Sequence, residues 1–212
     1  GYNVGANLTT IKNKVLSLVQ DGYSIIAGDK SQSYTMAGYP IGYFYGYKVE
    51  GVYQTDEEIA KSPKNTLATV TPGDLKFKDV NGDGVITDDD QVPLFAYSGV
   101  PQFMYGFGAE VRYKNWTLNV LFKGTGNNYF LYGGKDGSKF DGYIPFNQGY
   151  KGNVLTLAYD PANRWTSAEY SGNKATENPH ARFPRLSYGN NANNTKPSTF
   201  WKGNARYLRL QE

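Results

Sequence analysis

Between Gln102 and Lys123 the chain alternates so strictly that few folds can accept it. One parity carries Phe103, Tyr105, Phe107, Ala109, Val111 and Tyr113, and the other Gln102, Met104, Gly106, Gly108, Glu110 and Arg112. After Lys114-Asn115 the apolar parity resumes with Trp116, Leu118, Val120 and Phe122, with Thr117, Asn119, Leu121 and Lys123 between them. Side chains on a strand point to opposite faces in turn, so this pattern predicts a β-hairpin with one apolar face and one polar-or-glycine face. The arms run about 11 and 9 residues, the length of a tilted strand that crosses a bilayer. A soluble sandwich would turn the same apolar face to a core, but its strands are usually nearer about 5–6 residues. Arm length, together with Tyr113 and Trp116 flanking the turn, favours the membrane.

Weaker alternation appears at Asn3–Ile11, where Val4, Ala6 and Leu8 face Asn3, Gly5 and Asn7. Leu208 and Leu210 alternate with Arg209 and Gln211 at the other end. The sequence starts at Gly1 without Met and stops inside this last pattern, so the expectation is a piece of something larger. Two long segments, 20–101 and 124–205, carry little regular pattern. Loops of that length inside a compact domain would count against the reading. Long outside loops joined by short inside turns are nonetheless what outer-membrane barrels show. The first segment contains one short predicted helix: Thr55 and Glu58 form a capping box, and Asp56 and Glu57 suit its positive end. The composition fits, with 19 Tyr, 11 Phe and 3 Trp beside 25 Gly and 10 Pro. Tyr pairs an apolar ring with a polar tip and suits half-wet places such as sugar-binding faces and aromatic girdles.

One stretch carries explicit chemistry. Residues 79–90 read Asp-Val-Asn-Gly-Asp-Gly-Val-Ile-Thr-Asp-Asp-Asp. Against the 12-residue calcium loop, Asp79, Asn81 and Asp83 take the first three ligand positions and Gly84 the sharp turn. The Val85 carbonyl and Asp90 would complete the set. Such spacing gathers oxygens for a hard cation from one tight loop. The departure is Asp rather than Glu at the last position. The calcium expected here is structural, a brace for the loop. The competing reading is an acidic, glycine-rich turn held by its own side-chain-to-backbone bonds.

Other chemistries are poorly supplied. The sequence has no Cys and a single His, His180, which excludes disulfides, thiol nucleophiles and a multi-His metal site within this chain. His180 has no nucleophile elbow to serve, and the chain is read as having no enzymatic activity. A net charge of +3 from 22 Lys+Arg and 19 Asp+Glu names no charged partner. Arg164, Arg182, Arg185, Arg206 and Arg209 are too scattered for a nucleic-acid stripe and suit loop ion pairs and lumen charges.

The ordered string of motifs resembles the SusC/RagA-like TonB-dependent outer-membrane transporters. The matching pieces are Asn13–Leu18, Gly38-Tyr39-Pro40-Ile41-Gly42, Tyr45–Lys48 and Gly51–Gln54. Pro72–Asp79 runs into the Asn-Gly-Asp-Gly loop. Then come Pro101-Gln102-Phe103, Tyr105-Gly106-Phe107, Tyr113–Trp116, Asn163–Thr166, Asn178-Pro179, Phe183–Leu186, Ser198–Trp201 and Tyr207–Leu210. The resemblance implies an all-β fold: part of a large antiparallel transmembrane β-barrel from the C-terminal half of such a protein. About four strands (near 3–16, 102–113, 116–124 and 206–212) would belong to one barrel domain covering 1–212, with 20–101 and 124–205 as extracellular loops.

It also implies a bacterial outer-membrane location, contact with lipid, and import of oligosaccharide or peptide cargo. A SusD-like lipoprotein would act as lid, and TonB would be engaged through a plug region absent from this chain. Cargo contacts are expected on aromatic and Asn-rich loops, at Tyr129, Tyr132, Tyr143 and Trp201. The alternatives are a secreted, soluble carbohydrate-binding β-domain with a calcium-braced loop, and a calcium-dependent glycosidase domain.

Overall fold

The computed structural model describes residues 1–20, 22, 24–27, 33–94, 100–131, 156–187 and 191–211. It divides into two compact units. One comprises Gly1–Phe44, Phe95–Leu131 and Lys202–Glu212, and the other Tyr45–Leu94 and Tyr132–Trp201.

The first unit is built on a four-stranded antiparallel sheet in the order Tyr2–Thr10, Phe103–Tyr113, Trp116–Gly126, Tyr207–Leu210. The hairpin predicted from the alternation is its centre, with arms of 11 residues each joined at Lys114-Asn115. Lys114 takes φ +53°, the left-handed backbone that a tight two-residue connection needs. The register keeps the parities together: Tyr113 faces Trp116, Val111 faces Leu118, Ala109 faces Val120 and Phe107 faces Phe122. On the outer strands Val4 faces Ala109, Leu8 faces Tyr105, and Leu210 faces Phe122.

Two glycines on the apolar face sit under rings. A Cβ on Gly124 would strike the Tyr105 ring, and one on Gly126 would strike the Phe103 ring. The rings cover backbone that glycine leaves bare, a device that also pins the register.

The first strand is shorter than the alternation led us to expect. It ends at Thr10, and residues 11–16 leave the sheet. There Val15 N–H donates to the Tyr39 carbonyl at 2.9 Å, and the Asn13 carboxamide oxygen accepts from Ile41 N–H at 2.8 Å.

The second unit has a small apolar core. Tyr47, Leu75, Phe77 and Ile86 form one buried cluster, with Tyr47 stacked on Phe77 at 4.8 Å. Phe183 and Trp201 form another, with Leu186 and Phe200 packed against it. Short pairings frame these clusters: Val49–Val52 lies antiparallel to Leu75–Phe77, and Lys64–Asn65 parallel to Val85–Ile86. The predicted helix is Asp56–Lys61, where the Thr55 hydroxyl accepts from Glu58 N–H at 3.2 Å and the Glu58 carboxylate accepts from Gln54 N–H at 2.8 Å.

Candidate functional site

The sheet of the first unit presents a continuous apolar face. Tyr2, Val4 and Leu8, then Phe107, Val111 and Tyr113, then Trp116 and Leu118, and finally Leu208 and Leu210 are all exposed. Leu118 is 62 % exposed and Trp116 80 % exposed. The opposite face carries Asn3, Asn7, Glu110, Arg112, Asn119, Lys123 and Arg209, with Glu110 and Arg112 forming an ion pair. An exposed apolar surface that spans four strands is unlike the scattered apolar residues of a water-soluble monomer, and it requires a cover. Aromatic residues mark both ends of this face: Tyr2, Tyr113 and Trp116 beside the turn, and Phe103 and Tyr105 at the other end. That is the pattern of a barrel wall, whose outward band faces acyl chains between two girdles.

The second unit is held by a buried carboxylate. Asp74 is fully buried, and its Oδ1 accepts from Arg185 Nε at 2.8 Å, Asn191 Nδ2 at 2.8 Å and Asn194 Nδ2 at 3.0 Å. Its Oδ2 accepts from Arg185 Nη2 at 3.2 Å and Thr71 N–H at 2.9 Å. The two-pronged guanidinium contact and the added amide donors offset the cost of burying the charge. The Asn run extends the network. Asn194 Oδ1 accepts from Leu75 N–H at 2.8 Å, Asn193 Nδ2 donates to the Leu75 carbonyl at 2.9 Å, and Asn65 Nδ2 donates to Asn193 Oδ1 at 2.8 Å. Asn191, Asn193 and Asn194 are thus buried, as partners of the Asp74 carboxylate, the Asn65 amide and loop backbone.

Of the predicted cargo residues, Tyr129 and Trp201 are described, and they fall in different units. Trp201 is only 2 % exposed, and its Nε1 donates to the Asn194 carbonyl at 2.7 Å, so its ring is committed to the core and offers no stacking face. Tyr129 lies in the other unit, under the Lys202 ammonium at 4.5 Å. Tyr132 and Tyr143 fall outside the described residues.

The 79–90 loop closes on its own bonds. Asp79 Oδ1 accepts from Gly82 N–H at 2.6 Å and its Oδ2 from Gly84 N–H at 2.8 Å. Asp83 accepts from Val85 N–H at 2.8 Å and from Asn81 Nδ2 at 3.0 Å. Asp90 is buried, accepting from Val80 N–H at 2.7 Å and from Thr87 N–H at 2.9 Å, and it caps the short turn Asp88–Asp90. Asp, one carbon shorter than Glu, suits that local capping role. Among the described residues, no three His, Cys, Asp or Glu side chains stand close enough to hold an ion.

Beside the Asp74 network, Tyr47 is buried, and its hydroxyl donates to Asp88 Oδ1 at 2.6 Å and accepts from Gln91 Nε2 at 3.2 Å. Burial first, and Asp88 second, push this phenol well above its ordinary range.

An exposed apolar face on four antiparallel strands, with polar residues behind it, is what a stretch of outer-membrane barrel wall presents. The comparisons with known proteins agree. The chain is 28 % identical over 208 residues to the TonB-dependent receptor P26 of Formosa agariphila, an alignment covering 96 % of this chain and 19 % of that receptor. It is 32 % identical over 133 residues to the TonB-dependent receptor P3 of the same organism, covering 58 % of this chain and 12 % of the relative. The solved structure of the RagAB peptide transporter superposes with a TM-score of 0.60 at 16 % identity, covering 99 % of this chain and 19 % of that one. No family model matches the chain. Over nearly its whole length the chain thus resembles a segment of a TonB-dependent receptor, and it has the all-β fold of a barrel fragment. It spans about a fifth of the length of the first curated relative and of the solved neighbour.

Proposed function

We propose that this segment supplies wall and loops to an outer-membrane importer that takes up oligomeric nutrients, glycans or peptides, energised through TonB. On this reading a SusD-like lipoprotein closes over the barrel from outside, and the segment performs no covalent chemistry. The observation that carries the proposal is the four-strand apolar face with a charged and amide-bearing face behind it. Such an arrangement is satisfied by lipid on one side and a wet lumen on the other. The names of the relatives, two receptors and a peptide transporter, support import rather than catalysis. A soluble carbohydrate-binding domain would need a second layer to cover Leu118, Trp116 and their neighbours, and the described residues supply none on that face.

The test is made on the full-length parent in its own bacterium. The parent should sediment with outer membrane and need detergent for extraction. Uptake of a fluorescent oligosaccharide or oligopeptide should be lost when either the parent or TonB is deleted. Recovery of the parent in the soluble fraction, or glycan cleavage by the purified protein, would overturn the reading.

Calcium in the 79–90 loop is a separate proposal. Asp79, Asn81, Asp83, the Val85 carbonyl and Asp90 have the sequence spacing for it, and an ion would draw Asp90 from its two backbone donors toward the others. Calcium should then protect this loop of the parent from proteolysis, with chelator reversing the effect. An unchanged cleavage rate identifies a loop that its own hydrogen bonds suffice to hold.

A further inference from the structure

We propose that a groove in the loop unit holds the carboxylate of an acidic oligosaccharide on Arg164. The inference deepens the importer reading, which supplies the reason for such a ligand to arrive. The groove has a volume of about 460 Å³ and is lined by hydroxyl-bearing Thr71, Thr166, Ser167 and Thr176, by Tyr170, and by two arginines, Arg164 and Arg185. Among the described residues no Asp or Glu lines it.

The two arginines differ in one decisive respect. Arg185 is neutralised by Asp74 through two of its nitrogens. Arg164 makes one long hydrogen bond, from Nε to the Tyr159 carbonyl at 3.4 Å, and has no carboxylate partner among the described residues. A guanidinium carries five donors in a planar fork that matches a carboxylate. One that lines a concave site with no acid beside it is a receptor for an anion.

The backbone beneath Arg164 is fixed. Trp165 N–H donates to the Phe183 carbonyl at 2.8 Å, and Phe183 N–H donates to the Asn163 carbonyl at 3.0 Å. Trp165 forms part of the groove wall, with its Nε1 donating to the Gln54 side chain at 2.9 Å. Little ordering is therefore required when a ligand binds.

The remaining features select sugar over peptide. Tyr170 is 58 % exposed and stands beside Trp165 at 6.3 Å between ring centroids, so it offers a ring for a pyranose face. Peptides commonly add as a strand to an open edge. Here the backbone from Asn163 to Thr166 is already engaged, by Phe183 at one point and by Asn178 at another. Recognition in this groove falls to side chains.

The experiment uses the full-length parent in detergent and calorimetric titration with three probes: trigalacturonate, galactotriose as its neutral counterpart, and triglutamate. Trigalacturonate should bind tightest, and added salt should weaken it. Arg164→Gln should lower its affinity by about tenfold or more, the loss of a charge-assisted contact, while leaving galactotriose unchanged. Tyr170→Ala should weaken both sugars. Arg164→Lys, which keeps the charge and loses the fork, should fall between wild type and Gln, and it serves if the Gln variant melts early. Equal binding of the acidic and neutral sugars, an unchanged Arg164→Gln, tighter binding of triglutamate, or no binding at all would each overturn the proposal. Outer-membrane fractionation and TonB-dependent uptake report separately on the importer reading, so a groove that fails leaves that reading standing. Acidic-sugar binding by a parent found in the soluble fraction would do the reverse.

Discussion

Arginine scanning along one strand tests the wall directly, because the register fixes how deep each position lies. The arm Phe103–Tyr113 has 11 residues. At about 3.4 Å per residue and a tilt of about 40° its ends are separated by about 25 Å in depth, the height of the apolar band of an outer-membrane barrel. On the partner arm, Trp116 faces Tyr113 at one girdle, Leu118 lies about 5 Å inside it, and Val120 about 10 Å inside, close to the midplane. Val120→Arg in the parent should therefore cost about 2–4 kcal/mol, Leu118→Arg less, and the charge at Trp116→Arg about 0–1 kcal/mol. Asn119→Arg, on the opposite face between the two deepest sites, should change stability by no more than about 0.5 kcal/mol. The assay is reversible folding of the parent into vesicles, followed by Trp fluorescence over a denaturant series. A water-exposed face predicts something different: Leu118, 62 % exposed, would accept Arg at almost no cost. A flat profile from 116 to 120, or an Asn119→Arg penalty equal to that of Val120→Arg, would refute the lipid-facing assignment.

Three further outcomes concern the loop unit. Asp74→Ala should destabilise it by about 3–5 kcal/mol, because the Arg185 guanidinium and the amides of Asn191 and Asn194 lose their common acceptor; limited proteolysis of the parent should show early cleavage in 161–187. Gly73→Ala should be nearly as damaging. Gly73 holds φ +92°, and a Cβ there would enter the Trp165 ring and lie 2.6 Å from Arg185 Cβ, so backbone strain adds to about 1–3 kcal/mol of overpacking. Alkaline pH should loosen the same unit. Tyr47 keeps its proton in the fold because of burial and Asp88, whereas the unfolded chain releases it near 10, so stability is intact below that value and falls as pH climbs past it. The emission of Trp165 and Trp201 should report the transition, and Tyr47→Phe should weaken its pH dependence, leaving the part due to Tyr53, whose phenol burial also pushes up.

The wall was legible because its cause is local: alternation over 22 residues commits each side chain to a face, and no distant contact is needed to read it. Even there the limit of the first strand was not. Asn13 and Val15 continue a strand-like string, yet the hydrogen bonds that take them out of the sheet come from Tyr39 and Ile41, far along the chain. The loop unit was opaque for the same reason. A run such as Asn190-Asn191-Ala192-Asn193-Asn194 reads as solvent-loving, since nothing nearby shows that three of its amides are buried against Asp74, Leu75 and Asn65. Trp201 likewise reads as a stacking ring until its indole N–H is found on the Asn194 carbonyl.

The groove illustrates the opposite failure. Arg164 and Arg185 are equivalent as letters, and only the placement of one acid, Asp74, leaves the first with no carboxylate partner and holds the second. A long loop with too few apolar residues for a large core gains its rigidity from buried amides and one ion pair. A side chain left outside that network, on a rigid rim, is then the one available to a ligand.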